Sequence, residues 1–260
     1  MMPFYIYIWI FIFGLVIGSF LNVLIYRLPR KIEIGLSRSF CPSCKKPIKF
    51  YDNIPVISYL ILRGKCRYCR KPISFRYPLV EFLNGMAYIF YFWHYGLSGQ
   101  FLIYSFVTSV LLVIFFVDLD FQIIPDVVTI PGIIVGLGTS FMPGGIGILS
   151  SVIGLLVGGG ALYLVAMLGD WLFKKESMGG GDIKMAAMLG AFLGWQKVIV
   201  VFMGGAVIGL VIAAVMMIFS KKLRSTRMIP FGPFLAVAAI IAIIYGDQII
   251  SFYWRHFMAA

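Results

Sequence analysis

Apolar runs of membrane length alternate with short polar segments along nearly the whole chain. About 20 apolar residues cross a bilayer as a helix. Runs of that order fall at 4–26, 79–95, 101–117, 127–142, 147–169, 183–196, 198–219 and 232–250. The pattern predicts an all-α polytopic membrane protein with about eight transmembrane helices, 183–196 being a candidate broken or partial span. The first run exceeds the roughly 7–15 residue core of a signal peptide, and no small-residue cleavage site follows it, so it is expected to remain as a span. One long polar interruption, 27–78, holds all four cysteines and reads as a small module hung between the first two spans. Residues 1–100 then form one part, two spans with that module, and 101–260 a helical bundle. The bundle is rich in glycine (GLLVGGGA, MGGA), which lets membrane helices approach closely. No internal repeat of fixed period is expected.

Composition excludes an ordinary soluble domain. The 260 residues are 61% hydrophobic and 12% charged, against about 45–50% and about 25% in soluble proteins. The net charge of +12 raises nucleic-acid binding as a possibility, but in a polytopic chain Lys and Arg mark the cytoplasmic side. Their distribution decides. Thirteen of the 22 lie between Arg27 and Arg76; Lys174, Lys175 and Lys184 form a second group, and Lys221, Lys222, Arg224 and Arg227 a third. Only Lys197 and Arg255 stand elsewhere. With eight spans and an external N-terminus, the loops 27–78, 118–126, 170–182 and 220–231 all face the cytoplasm, and the three groups share one side.

The same topology brings two acids to that side. Asp118 closes the run FLIYSFVTSVLLVIFFV, and Asp182 follows three glycines in MGGGDIK. Ionisable groups at membrane depth are costly and tend to have a function. Two carboxylates brought together can share a proton and activate water, which makes the chain a candidate aspartyl protease. Asp120 points about 200° away from Asp118 on a helix, so Asp118, directly against the apolar run, is preferred. Asp126 beside Pro125 reads as a helix-start residue. Asp182 has helix capping as an alternative; against it stand Gly179, Gly180 and Gly181, which permit a close backbone approach to an extended peptide. Asp170 and Glu176 read as solvated loop acids and Asp247 as interfacial. Glu81 is an isolated acid just inside the second span, either functional or satisfied by the basic loop. His94 and His256 fall near aromatic interface belts on the outer side, so neither Ser-His nor HExxH chemistry has support.

The cysteines stand as CPSC (Cys41, Cys44) and CRYC (Cys66, Cys69), with 21 residues between the pairs. Paired knuckles at this spacing predict a tetrahedral structural zinc site, and the surrounding lysines and arginines favour the thiolates. Disulfides are disfavoured in a cytoplasmic loop. Four thiolates leave no open coordination position, so the metal is expected to hold a fold together.

At these residues the chain resembles the bacterial type IV prepilin peptidases, the bifunctional leader peptidase/N-methyltransferase family of GxGD membrane proteases. The resemblance is carried by GSFLNVLIYRLP, the two cysteine knuckles, NIPVISYL, RYPLVEFLNG, VDLDFQIIPD, MGGGDIKMAAMLGAFLGW and IPFGPFLA, in that order over nearly the whole length. It implies cleavage of the short basic leader of prepilins or pseudopilins after a glycine, at the cytoplasmic face of the inner membrane. N-methylation of the new terminus with S-adenosylmethionine would follow. The catalytic aspartates it implies are Asp118 and Asp182, and the cysteine loop favours both activities over cleavage alone. No Rossmann fingerprint marks a cofactor site, and Glu81 is the candidate for holding the new ammonium group. Glu33, Asp52 and Glu81 are the acids left to meet a basic leader if the basic loop faces anionic lipid. The sequence also admits two non-hydrolytic alternatives: a proton-coupled transporter, which would place acids near mid-bilayer and show repeated halves, and a zinc-anchored assembly factor.

Overall fold

The computed structural model describes residues 3–35, 38–174, 178–219 and 230–258. Lys175, Glu176 and the third basic group (Lys221, Lys222, Arg224, Arg227) lie outside the described residues. All regular elements among those described are helical: α1 (Phe4–Arg27), α2 (Ile57–Ile61), α3 (Arg76–Tyr95), α4 (Gly99–Phe121), α5 (Asp126–Thr139), α6 (Ile148–Phe173), α7 (Gly180–Phe219) and α8 (Gly232–Tyr253). Among the described residues five helices are long and apolar enough to cross a membrane: α1, α4, α6, α7 and α8. The chain is a multi-pass membrane protein. It divides into two compact units, Met1–Val113 and Ile114–Ala260.

In the first unit α1 and α3 run antiparallel along a seam of small residues. A side-chain carbon added at Gly14 would sit 2.8 Å from the Gly85 Cα, and one at Gly18 would sit 2.6 Å from the Glu81 Cα. The backbones are therefore nearly in contact, and membrane helices gain their packing energy from such approach. Polar side chains lock the seam. Asn84 donates to the Gly14 carbonyl at 2.7 Å and accepts from Ser109 at 2.8 Å, while Asn22 donates to the Tyr77 carbonyl at 3.0 Å. This unit runs to Val113 and so takes in most of α4 as well, and the cysteine module lies between α1 and α3 in sequence.

In the second unit the contacts give each helix a direction. Gly154 on α6 faces Gly190 on α7, and Gly158 faces Ala186, an antiparallel order; Ser151 donates to the Ala191 carbonyl at 2.6 Å. Gly204 meets Ala238 and Gly209 meets Phe234, so the later part of α7 is antiparallel to α8. Gly158 also approaches Val198. A straight helix would hold residues 186 and 198 about 18 Å apart, yet both reach one glycine. The reversal sits at Gly194, where φ is 81° and ψ 168°, a conformation L side chains rarely adopt. α7 is thus two limbs that double back, matching the separate runs 183–196 and 198–219 read from sequence.

Candidate functional site

Asp118 lies one turn before the end of α4 and is buried, whereas Asp120 is exposed. The helical offset between them explains the difference. α4 stops because Gln122 takes a positive φ of 55° and Pro125 follows. Asp126 opens α5 in its first turn and pairs with Lys184 at 2.7 Å, the helix-start role expected of it.

Asp182 occupies the first turn of α7. The glycines were expected in a loop ahead of the helix; instead Gly180 and Gly181 are already helical, and the Asp182 amide donates to the Gly179 carbonyl at 3.1 Å. Asp182 therefore sits two residues inside the helix rather than at a capping position. Its Oδ1 is buried with no hydrogen-bond partner.

One isoleucine organises the pair. A carbon added at Gly181 would lie 2.8 Å from Ile124 Cβ, and one at Gly232 would lie 3.1 Å from Ile124 Cδ1. The Gly232 amide in turn donates to Asp118 Oδ2 at 3.1 Å. Ile124 thus packs against the glycine preceding Asp182 and against the glycine that binds Asp118, and the Asp118 charge acts on Asp182. Neither Ile124 nor Gly232 had a role assigned from sequence. The signal available was the FGP of IPFGPFLA, a glycine at the first position of a helix.

The sulfur atoms of Cys41, Cys44, Cys66 and Cys69 all lie within 4.8 Å of one another, and none is in a disulfide. Cys41 and Cys69 are separated by 4.0 Å, near the roughly 3.8 Å between sulfurs on a tetrahedral zinc with bonds of about 2.3 Å. Amides of Cys69 and Tyr68 hold the Cys66 thiol down to about 7. The Lys71 amide draws Cys69 down, but burial and the sulfurs of Cys66, Cys44 and Cys41 push it up further, to about 11. Four thiolates crowded together need a cation to ionise jointly, and the donor set fits zinc.

The two knuckles correct the expectation of no repeat. Cys41, Cys44, Pro47 and Phe50 recur 25 positions later as Cys66, Cys69, Pro72 and Phe75. Backbone bridges Phe40–Pro47 and Lys65–Pro72 match, as do left-handed Lys45 and Arg70. The signal was legible in CPSCKKPIKF against CRYCRKPISF. The Arg67 guanidinium ties the second knuckle to Asp52 through bonds of 2.7 and 2.5 Å, holding that carboxyl below its ordinary range.

Glu81 is buried on α3 and accepts the Val56 amide at 2.8 Å. Among the remaining acids, Glu33 and Asp170 are exposed, and Asp247 pairs with Lys197 at 2.8 Å. His94 and His256 are exposed and stacked on Phe90 and Phe252, in keeping with aromatic belts.

Comparison with known proteins gives two family matches. The bacterial peptidase A24 N-terminal domain matches residues 12–95, and the type IV leader peptidase family matches residues 105–214. A prepilin leader peptidase/N-methyltransferase of Legionella pneumophila is 34% identical over 98% of this chain and 97% of its own. Proteins of the same name from Stutzerimonas stutzeri and Neisseria gonorrhoeae are 38% and 37% identical, over 93% and 94% of this chain and 91% of each relative. No solved structure matches.

Proposed function

Because this chain belongs to the type IV leader peptidase family, we propose that Asp118 and Asp182 are its catalytic pair. The chain is an enzyme with two activities, removal of the prepilin leader and N-methylation of the new amino terminus. The observation that carries the catalytic assignment is the convergence of both acids around Ile124, with Asp182 Oδ1 buried and unpartnered. The Gly232 amide orients one Asp118 oxygen. Water between the carboxylates loses a proton to the ionised acid as it attacks the scissile carbonyl, and the protonated acid donates to the carbonyl oxygen. The tetrahedral intermediate collapses as the leaving amine is protonated. Gly179, Gly180 and Gly181 form the backbone surface along which the extended leader lies.

We assign residues 101–260 to cleavage and 1–100, with the Cys41, Cys44, Cys66 and Cys69 zinc module of 27–78, to methyl transfer. S-adenosylmethionine supplies the methyl group, and Glu81 belongs to that site. The knuckle geometry supports zinc in a structural role. Counting both limbs of α7 gives eight spans, with the N-terminus outside and the aspartates at the cytoplasmic face of the inner membrane. The Lys197–Asp247 pair supports this, since the topology puts both residues on the outer side. The module exposes Phe50, Leu60, Ile61 and Phe75 among its lysines and arginines, a surface suited to anionic lipid.

Purified protein incubated with a prepilin and labelled S-adenosylmethionine tests the assignment. Leader release and label transfer are both expected from the wild type. Release that persists in Asp118→Asn and Asp182→Asn would remove these acids from the mechanism.

A further inference from the structure

Where the α1–α3 seam opens toward the cysteine module, the first unit contains a cavity of about 100 Å³. Its wall includes Asn22, Tyr26 and Arg27 from α1, Tyr77 and Glu81 from α3, and Phe40 from the first knuckle. Two charges of opposite sign are buried there. The Arg27 guanidinium donates to the carbonyls of Glu33 and Arg38 at 2.8 and 3.1 Å. Glu81 takes hydrogen bonds from the Val56 amide and the Ser19 hydroxyl, and no cation pairs with it among the described residues. A buried carboxylate served only by neutral donors has its charge incompletely compensated.

A second feature shows that this carboxylate is held in position. Val56, which donates to it, has φ 59° and ψ −50°. That conformation is a strained one for a β-branched residue and persists only where surrounding contacts enforce it; such strain clusters at functional sites. The Glu81 oxygen is thus fixed from the module side by a backbone amide, and Glu81 is part of the cavity wall.

We propose that this cavity receives an α-ammonium group on the Glu81 carboxylate, and that the methionyl end of S-adenosylmethionine brings it. The inference rests on the methyl-transfer activity described above. The volume is well below the roughly 300–1,000 Å³ of sites that enclose a whole drug-sized ligand, so it takes the amino-acid end and not the nucleoside. A methionyl end carries both an ammonium and a carboxylate, opposite in sign to Glu81 and Arg27 in the cavity wall. The new N-terminus of a mature pilin offers the same ammonium without the carboxylate.

Equilibrium binding to the full-length protein in nanodiscs separates these sources. Glu81→Gln should weaken S-adenosylmethionine and S-adenosylhomocysteine alike by about tenfold or more, with 5′-methylthioadenosine, which lacks the methionyl end, unaffected. If instead Glu81→Gln leaves both ligands alone and weakens a pilin-terminus peptide, but not its N-acetylated form, the ammonium site stands and the pilin occupies it. Val23→Phe, which fills the cavity from its wall without touching the Val56 clamp, should weaken the same ligand as Glu81→Gln. Changes below about twofold for every ligand, in either variant, overturn the proposal. Metal content equal to wild type verifies the fold of Glu81→Gln; if that variant loses its metal, Val23→Phe decides alone. A wild type that transfers no methyl label sinks the activity, whereas a wild type that transfers label with unchanged binding in Val23→Phe sinks only the site.

Discussion

Asp118 and Asp120 stand two positions apart on α4 and meet opposite surroundings, one buried beside the Gly232 amide and the other exposed. Replacing either Asp118 or Asp182 by Asn removes an acid–base partner. Leader release should fall by about 100- to 10,000-fold in each case, with the protein still inserted, whereas Asp120→Asn should change it by less than about threefold. The three glycines also separate. Gly180 faces open space, but a side chain at Gly181 meets Ile124. Gly181→Ala should therefore displace the loop that carries the site and slow cleavage at least about tenfold, while Gly180→Ala, which meets no other residue of the protein, spares that loop and slows cleavage less. Steady-state leader release by both variants checks this.

Among the elements, α6 and α7 hold together because Gly154 and Gly190 place their backbones in contact. Leucine at Gly154 must push them apart and should cost about 1–3 kcal/mol or more. Gly160 on the same helix has no neighbour within 4 Å, so Gly160→Ala should be silent in the same thermal-unfolding measurement. The reversal of α7 depends on Gly194 alone among its residues. Gly194→Ala should destabilise by about 1–3 kcal/mol through backbone strain, again read from the thermal midpoint. The doubled α7 was legible as two apolar runs parted by Lys197, with Gly194 near the end of the first. Its sharpness was not, because a run of hydropathy carries no direction.

For the whole molecule, two activities are assigned to two stretches of one chain, and metal removal distinguishes them. Stripping the proposed zinc with a strong chelator, or replacing Cys66 by Ser, should lower the thermal midpoint and suppress methyl transfer while most leader release survives. Parallel measurement of both activities checks this, and equal loss of both would give the module a share in cleavage. The Arg67–Asp52 pair lies within the module, with its aspartate side chain largely covered. Asp52→Asn should weaken the module by about 1 kcal/mol, visible as faster zinc release to a chelator.

Much of this was present in the linear order of residues. Long apolar helices and the paired cysteine knuckles follow from composition and spacing, since bilayer thickness and metal coordination impose lengths that a sequence displays directly. The aspartates could be nominated in the same way, because a carboxylate beside an apolar run is conspicuous at any distance from its partner. What tertiary structure decided is which atoms meet. Residues 118, 124, 181 and 232 converge through the packing of α4, α7 and α8 and the loop after α4, and no local preference of the chain encodes that meeting. The same holds for Glu81: its burial could be read from its place in an apolar run, but the strained Val56 amide that fixes it and the cavity beside it exist only once α1, α3 and the cysteine module have closed around them.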